Sequence, residues 1–225
     1  MLNPSDIRTV MNQCRVELTG VSDALLRSSM FEVMEEFFRD TQSWTEQIPF
    51  SVNPVTTQPT TVQQWDQVLS YPIAPSEGQI IALDSVVHSN GTYVPALMPK
   101  VGVVRLQYAP NVADIYTACV IKNVCLPLDR EGFPIGPDWV LSKWHLAIKF
   151  GMLGTLMNQK NKSYSDDNGA KYNLAKFRQF VQNVRTAVLR ANTRGAQAWR
   201  FPQSFRTISQ KGGVPVYGIG NDWSG

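Results

Sequence analysis

Two histidines, three cysteines and a scatter of carboxylates are the groups in this chain suited to acid–base, nucleophilic or metal chemistry. His88 sits in an alternating, strand-like run and His145 on the outer side of a helical pattern. A general base, a metal ligand or the partner of a nucleophile would most often be one of these. Neither stands beside a cysteine, serine or carboxylate in a recognisable motif, and structural roles are expected for both. Glu35 and Glu36 are adjacent, so on a helix they point about 100° apart and do not serve one substrate as an acid–base pair. Asp84, Asp114 and Asp129 fall at strand or turn edges, where aspartate commonly makes local hydrogen bonds. Cys119 and Cys125 lie on one face of one strand pattern, about 20 Å apart and too far to bridge. With Cys14 they read as buried thiols of a reducing compartment. No phosphate loop, dinucleotide fingerprint or zinc spacing occurs. The chain is expected to be no enzyme and to use no cofactor and no metal.

The elements that must carry these residues fall into three stretches. Ser5 or Asp6 caps a first helix over 5–18, with Ile7, Val10, Met11, Cys14 and Leu18 as its stripe. Gly20 breaks it. A second helix over 23–41 carries Leu26, Met30, Val33, Met34, Phe37 and Phe38, with Glu32, Glu35, Glu36 and Asp40 on its other side. Trp44 follows and is expected to pack across the helix end. From Gln47 to Pro134 helical periodicity gives way to alternating runs, and strands are expected over 47–52, 63–70, 79–88, 92–97, 102–108 and 115–126. Asn90-Gly91 predicts a two-residue hairpin turn, whose central positions both need positive φ. In the last run Tyr116, Ala118, Val120, Val124 and Leu126 share a face with Lys122. Pro137 restarts helix over 137–159, with Trp139, Leu146, Phe150, Leu153 and Met157 on one stripe. Gly151 and Gly154 inside it each cost about 1 kcal/mol in propensity, which a close helix–helix approach would justify. A last helix over 168–194 aligns Ala170, Leu174, Phe177, Val181, Val184 and Val188.

The fold class expected from this order is α+β. Two N-terminal helices and two long C-terminal helices form a bundle, with an inserted small antiparallel β-region and an extended C-terminal tail. One domain is expected over 1–195 and a docking tail over 196–225. In that tail Trp199, Phe201, Pro202 and Phe205 have no periodic partner, so they read as anchors for another surface. No window approaches the roughly 18 apolar residues of a membrane span, and no membrane partner is expected. The N-terminus lacks the basic start and apolar run of a signal peptide, so synthesis in a cytoplasm is the expectation.

The net charge of +3 conceals a strong asymmetry. Residues 1–60 hold four arginines against eight carboxylates, whereas residues from 160 onward hold eleven cations against three carboxylates. Such asymmetry fits an oriented partner, with an acidic face on one subunit meeting a basic face on the next. The alternative is that the halves neutralise each other within one monomer. The acidic face comprises Glu32, Glu35, Glu36 and Asp40; the basic face comprises Lys171, Arg178, Arg185, Arg190 and Arg194. That basic face is expected along a DNA path, where phosphate contacts need only positive charge, between subunits, or outward as a solvated polar face. Aromatics do not interleave with it as in a single-strand stacking platform, and no base-reading motif appears.

Several segments together resemble the head-to-tail adaptor (connector, or head-completion) proteins of tailed, particularly short-tailed, bacteriophages. They are Asp23-Ala-Leu-Leu, Phe31-Glu-Val-Met-Glu-Glu-Phe-Phe-Arg-Asp-Thr-Gln-Ser-Trp44, and Pro137-Asp-Trp with the long helix to Leu156-Met157-Asn-Gln. Lys162-Ser-Tyr-Ser-Asp166 is similar to the family's Lys-Pro-Tyr-Ser connection, with Ser163 in place of the proline, and Phe177-Arg178 lies on the second long helix. The resemblance implies a virion protein that forms a ring of its own copies, usually about twelve. That ring sits at the neck between capsid and tail, beneath the portal protein, and takes a tail or nozzle protein on its other face. Its channel passes the ejected DNA, and Trp199, Phe201, Pro202 and Phe205 become the portal contacts. Another phage neck or tail subunit (a stopper, tail terminator or tube protein) is the alternative, although the long helical pair argues against a tube.

Overall fold

The computed structural model describes residues 2–55, 61–124 and 134–192. Arg194, Cys125, Leu126, Asp129 and the whole tail over 196–225, with Trp199, Phe201, Pro202 and Phe205, lie outside the described residues. Helix α1 spans Pro4–Glu17 and is capped by Asn3, two or three residues earlier than expected: its side chain accepts from the Ser5 N–H at 3.1 Å, with Pro4 in the first turn. Helix α2 spans Asp23–Thr41, opened by Ser22, whose hydroxyl accepts from the Leu25 N–H, and closed by Gln42 in the left-handed region. Helices α4 (Trp139–Met157) and α5 (Asp167–Asn192) pack with them. Their core joins Ile7, Val10, Met11 and Cys14 of α1, Leu26, Met30, Met34, Phe37 and Phe38 of α2, Ile148, Met152 and Leu156 of α4, and Phe177, Val181 and Val184 of α5.

The expected bundle with one small β-region and four helices is overturned in three respects. Among the described residues there are five helices, because Val62–Val68 forms a helix, α3, where a strand over 63–70 was expected. The valines and Trp65 favour a strand, but Thr61 caps the segment, its hydroxyl accepting from the Gln64 N–H at 3.3 Å. The strands then build two antiparallel sheets, one ordered β1-β7-β3-β4 and one ordered β2-β6-β5. Strands β1 (Thr45–Val52), β3 (Gln79–His88), β4 (Tyr93–Val94) and β7 (Asp114–Asn123) form the first; β2 (Ser70–Pro72), β5 (Ala96–Lys100) and β6 (Val103–Leu106) form the second. Pro49 on the open edge of β1 has no N–H to donate, which keeps another strand from adding there. Strand β2 pairs with β6 instead.

The two sheets share a core of their own. Ile48, Phe50 and Val52 of β1, Tyr116, Ala118 and Val120 of β7, and Val86 of β3 meet Ile73, Val104 and Leu106. The β-region is therefore a second packed layer pair and not a decoration on a bundle. The β3–β4 turn also differs from the two-residue form. His88 N–H donates to Thr92 C=O, Gly91 has φ 84°, and Asn90 stays out of the left-handed region, giving a three-residue loop over 89–91.

Helix α4 corrects a further expectation. Trp144 has non-helical φ and ψ (−125°, 19°), so residues before and after it do not share one stripe. Leu146, expected on the core stripe, is 44% exposed, while Val140, Leu141, Ala147 and Gly151 are buried.

Candidate functional site

The helical layer and the sheets meet at Trp44, between α2 and β1. Lys122 is buried on the inner face of β7; its Nζ lies 2.7 Å from Glu46 Oε2 and 4.4 Å from the centre of the Trp44 ring. The Lys122 N–H donates to the Trp44 carbonyl at 2.7 Å, and Asn123 Nδ2 donates to the Glu35 carbonyl of α2 at 3.1 Å. A Cβ on Gly78, which has φ 75°, would sit 2.6 Å from the Trp44 ring, so only glycine lets the tryptophan close this seam. Partial burial raises the Glu46 carboxyl, but the hydrogen bonds from Lys122 and from Ser76 outweigh it and hold the group below the usual carboxylate range. This seam orients α2, and with it the acidic residues, relative to the sheets.

The acidic residues expected to share a face divide into two kinds. Asp40 is tied to its neighbour Arg39 at 3.2 Å. Glu32 is exposed and Glu35 and Glu36 half-buried, spaced as i, i+3 and i+4 neighbours on α2, and among the described residues none has a cation within ion-pairing distance. Glu32 accepts from the Ser28 hydroxyl at 3.4 Å. On α5, Lys171, Arg178 and Arg185 are exposed at seven-residue intervals, two helical turns or about 10.5 Å apart, and they form one line. No carboxylate follows Asp167 within α5. Arg190 is exposed near the helix end. Lys176 leans over Tyr172, 5.8 Å from the ring centre.

Two further charge pairs of the helical layer close inside the monomer. Arg15 pairs with Asp23, and Lys149 with Glu17 at 2.7 Å. Neither pair involves the lines on α2 and α5. The two candidate faces are thus brought onto one unit but are not brought together.

His88 does gather a serine and a carboxylate, which no linear motif announced. The antiparallel β3–β7 register, with His88 opposite Tyr116, carries Asp114 to it across 26 residues of chain. His88 Nε2 lies 2.9 Å from Asp114 Oδ2, which also accepts from the Ser89 hydroxyl at 2.8 Å. The Asn90 N–H donates to His88 Nδ1 at 3.2 Å, so Nε2 carries the ring proton of the neutral imidazole. The Ser89 hydroxyl also lies 3.3 Å from His88 Nδ1, but its proton goes to the closer aspartate, and Nδ1 already accepts from the Asn90 N–H. The cluster clasps the hairpin loop. Those hydrogen bonds, from Ser89 first and then from the Ile115 N–H, hold the Asp114 carboxyl below its ordinary range. His145 is half-buried on α4 and has no such partners.

Cys14 is buried in the helical core; desolvation pushes its thiol up to about 12, against the nearby Lys149. Cys119 is half-buried on the outer side of the first sheet. Two open grooves line the β-region. One of about 450 Å³ lies among Asp66, Gln67, Ser70, Pro72, Pro99 and Lys100; one of about 350 Å³ runs along Leu83–Val86 and Tyr93–Ala96. Neither contains a histidine or cysteine. Among the described residues no three His, Cys, Asp or Glu side chains gather as a metal site, and no helix is long and apolar enough to cross a membrane.

No protein-family model matches the chain, and no curated protein is significantly similar to it.

Proposed function

We propose that this chain is a virion structural protein, a ring-forming adaptor that joins the portal vertex of a tailed-phage capsid to the tail and forms part of the DNA ejection channel. The observation that carries the reading is the outer face of α5. A helix of 26 residues presents Lys171, Arg178 and Arg185 in line, with no carboxylate on the helix after Asp167 and, among the described residues, no ion-pair partner for those three cations. A line of unneutralised like charge is a surface that an assembly meeting a polyanion or an acidic neighbour can use. The resemblance in the segments from Asp23 to Trp44 and from Pro137 to Phe177 supplies the kind of assembly. In this reading Trp199, Phe201, Pro202 and Phe205 anchor the tail on the portal, at about 2–3 kcal/mol for each large side chain buried, with ring repetition adding avidity.

The test is negative-stain microscopy of the protein mixed with its portal, with the portal alone as control. An added ring of density coaxial with the portal is expected. A chain lacking residues 196–225 is expected to keep its fold and lose that ring. A truncated chain that still bound would overturn the tail assignment, and self-stacked tubes without portal would favour a stopper or terminator.

A further inference from the structure

We infer that the copies of this chain meet one another through the α2 carboxylates of one copy and the α5 cations of the next. The inference rests on the ring reading only for the presence of several copies; the contact itself stands on the charges. The alternative, that the acidic and basic halves neutralise each other within a monomer, is met at Glu17, Asp23, Asp40 and Glu46, each of which has a cation in its own chain. It is not met at Glu32, Glu35 and Glu36 or at Lys171, Arg178 and Arg185, for which no ion pair occurs among the described residues. The charges left over are therefore carboxylates on α2 and, beyond Asp167 in the first turn, cations on α5, and each set lies on one helix.

Their geometry suits helix-on-helix docking. Glu32 and Glu36 are one turn apart, about 6 Å, and Lys171 and Arg178 two turns apart, about 10.5 Å, spans that long side chains reach across. The patches are different surfaces of one molecule, so the contact is heterologous and repeats head to tail until it closes. Being rim-type charge pairing, it sets orientation and partner choice more than affinity, and it weakens with salt. The occupant of each face is a second copy of this chain.

The test is a charge exchange on the full-length protein, read by biolayer interferometry with one form immobilised. One form carries Lys171→Glu, Arg178→Glu and Arg185→Glu; the other carries Glu32→Lys, Glu35→Lys and Glu36→Lys. Each alone sets like charge against like and is expected to bind itself at least tenfold more weakly than it binds the other. The mixed pair has one contact in the native sense, the α2 glutamates of the first form against the α5 cations of the second, and the other in reversed sense, and its binding is expected to fall as salt rises from 50 to 500 mM. Should a charge-reversed form fail to give the wild-type circular-dichroism melt, the glutamine variants at the same six positions replace it. Wild-type protein must then bind itself more strongly than either glutamine form does. Mixed pairs that bind no better than like pairs, or glutamine forms that self-associate as wild type does, overturn the inference. Failure here is distinguishable from failure of the adaptor reading. A portal that recruits the α5-reversed form into a ring as well as wild type keeps the adaptor and removes this contact. Mixed binding with no ring on the portal does the opposite.

Discussion

Replacing Gly154 by alanine sets two effects of known sign against each other, and the structure decides between them. Alanine in a helix interior is favoured over glycine by about 1 kcal/mol, so propensity alone stabilises the variant. The added Cβ, however, would lie 2.7 Å from Leu174 Cγ, 2.9 Å from its Cδ2 and 3.0 Å from the Leu174 backbone nitrogen. Carbon atoms in contact rest at about 3.5–4.0 Å, so a rotamer change of Leu174 relieves the first two distances and leaves the third. Helix α5 itself has to move. Overpacking of this kind costs about 1–3 kcal/mol, which exceeds the propensity gain at its centre and yields a net loss of about 1 kcal/mol. At about 2–4 °C per kcal/mol for a chain of this size, the melting temperature is expected to drop by a few degrees. Urea unfolding is the cleaner assay, with the midpoint falling at unchanged slope. A second variant tests the cause: with Leu174→Ala in place the Gly154→Ala cost shrinks, because two of its three close neighbours are gone. A Gly154→Ala protein more stable than wild type would refute the close approach of α4 and α5, as would an equal cost in both backgrounds.

Three further outcomes follow from the described packing. Lys122→Met leaves the Glu46 carboxylate without its cation, and about 2 kcal/mol of stability is expected to be lost at pH 7, less than a fully buried pair because Glu46 is 23% exposed. Since the Glu46 pKa is lowered in the folded state, the pair's contribution is fully present above the unfolded carboxylate pKa and lost as pH falls through the folded one. Urea midpoints of wild type and variant should therefore converge as pH falls through that lowered pKa. Cys14, buried and with its thiol near 12, is expected to resist iodoacetamide at pH 8 until urea unfolds the chain, while half-buried Cys119 is modified before it; peptide mass spectrometry reads the order of these two. Asp114→Asn weakens the clasp on the β3–β4 loop, and faster amide exchange at Asn90–Thr92 is expected with little change elsewhere. In wild type the same exchange should quicken as pH falls through the lowered Asp114 pKa, where the clasp loses its carboxylate.

Periodicity located the helices because burial at 3.6-residue intervals is a local signal: Ala170, Phe177, Val181 and Val184 are spaced for one face and are buried on it. It misplaced Leu146, since the kink at Trp144 is a tertiary accommodation that no spacing announces. It read α3 as a strand because Val62, Trp65 and Val68 outweigh one capping threonine in a seven-residue segment. The division of strands between two sheets was hidden for a different reason. Alternation tells which residues share a face, whereas partner choice depends on edges, such as the one Pro49 closes. The candidate faces were legible as charge counts, but the count could not separate Glu17, Asp23 and Asp40, which are satisfied internally, from Glu32, Glu35 and Glu36. The His88–Asp114 clasp was illegible altogether, because strand register joins residues 26 apart.

The seam at Trp44 gives the charged faces their consequence. A head-to-tail contact closes into a ring only if each copy turns the next through the same angle, and a subunit that flexes between its two docking faces yields open chains instead. Here both faces belong to helices fixed on α4. Helix α2 presses Val33 against the Gly151 backbone, where a Cβ would lie 2.4 Å from Val33 Cγ1, and α5 lays Leu174 over Gly154. The sheets brace α2 from its other side, through Asn123 on the Glu35 carbonyl and Trp44 on Gly78. The two glycines of α4, costly in propensity, thus fix the spacing of the acidic and basic lines, and the buried lysine fixes the sheet against them. Loosening either glycine contact or the Lys122 seam should broaden the distribution of assembly sizes before it abolishes the charge contact, because the angle depends on packing while the attraction depends only on Glu32, Glu35, Glu36, Lys171, Arg178 and Arg185.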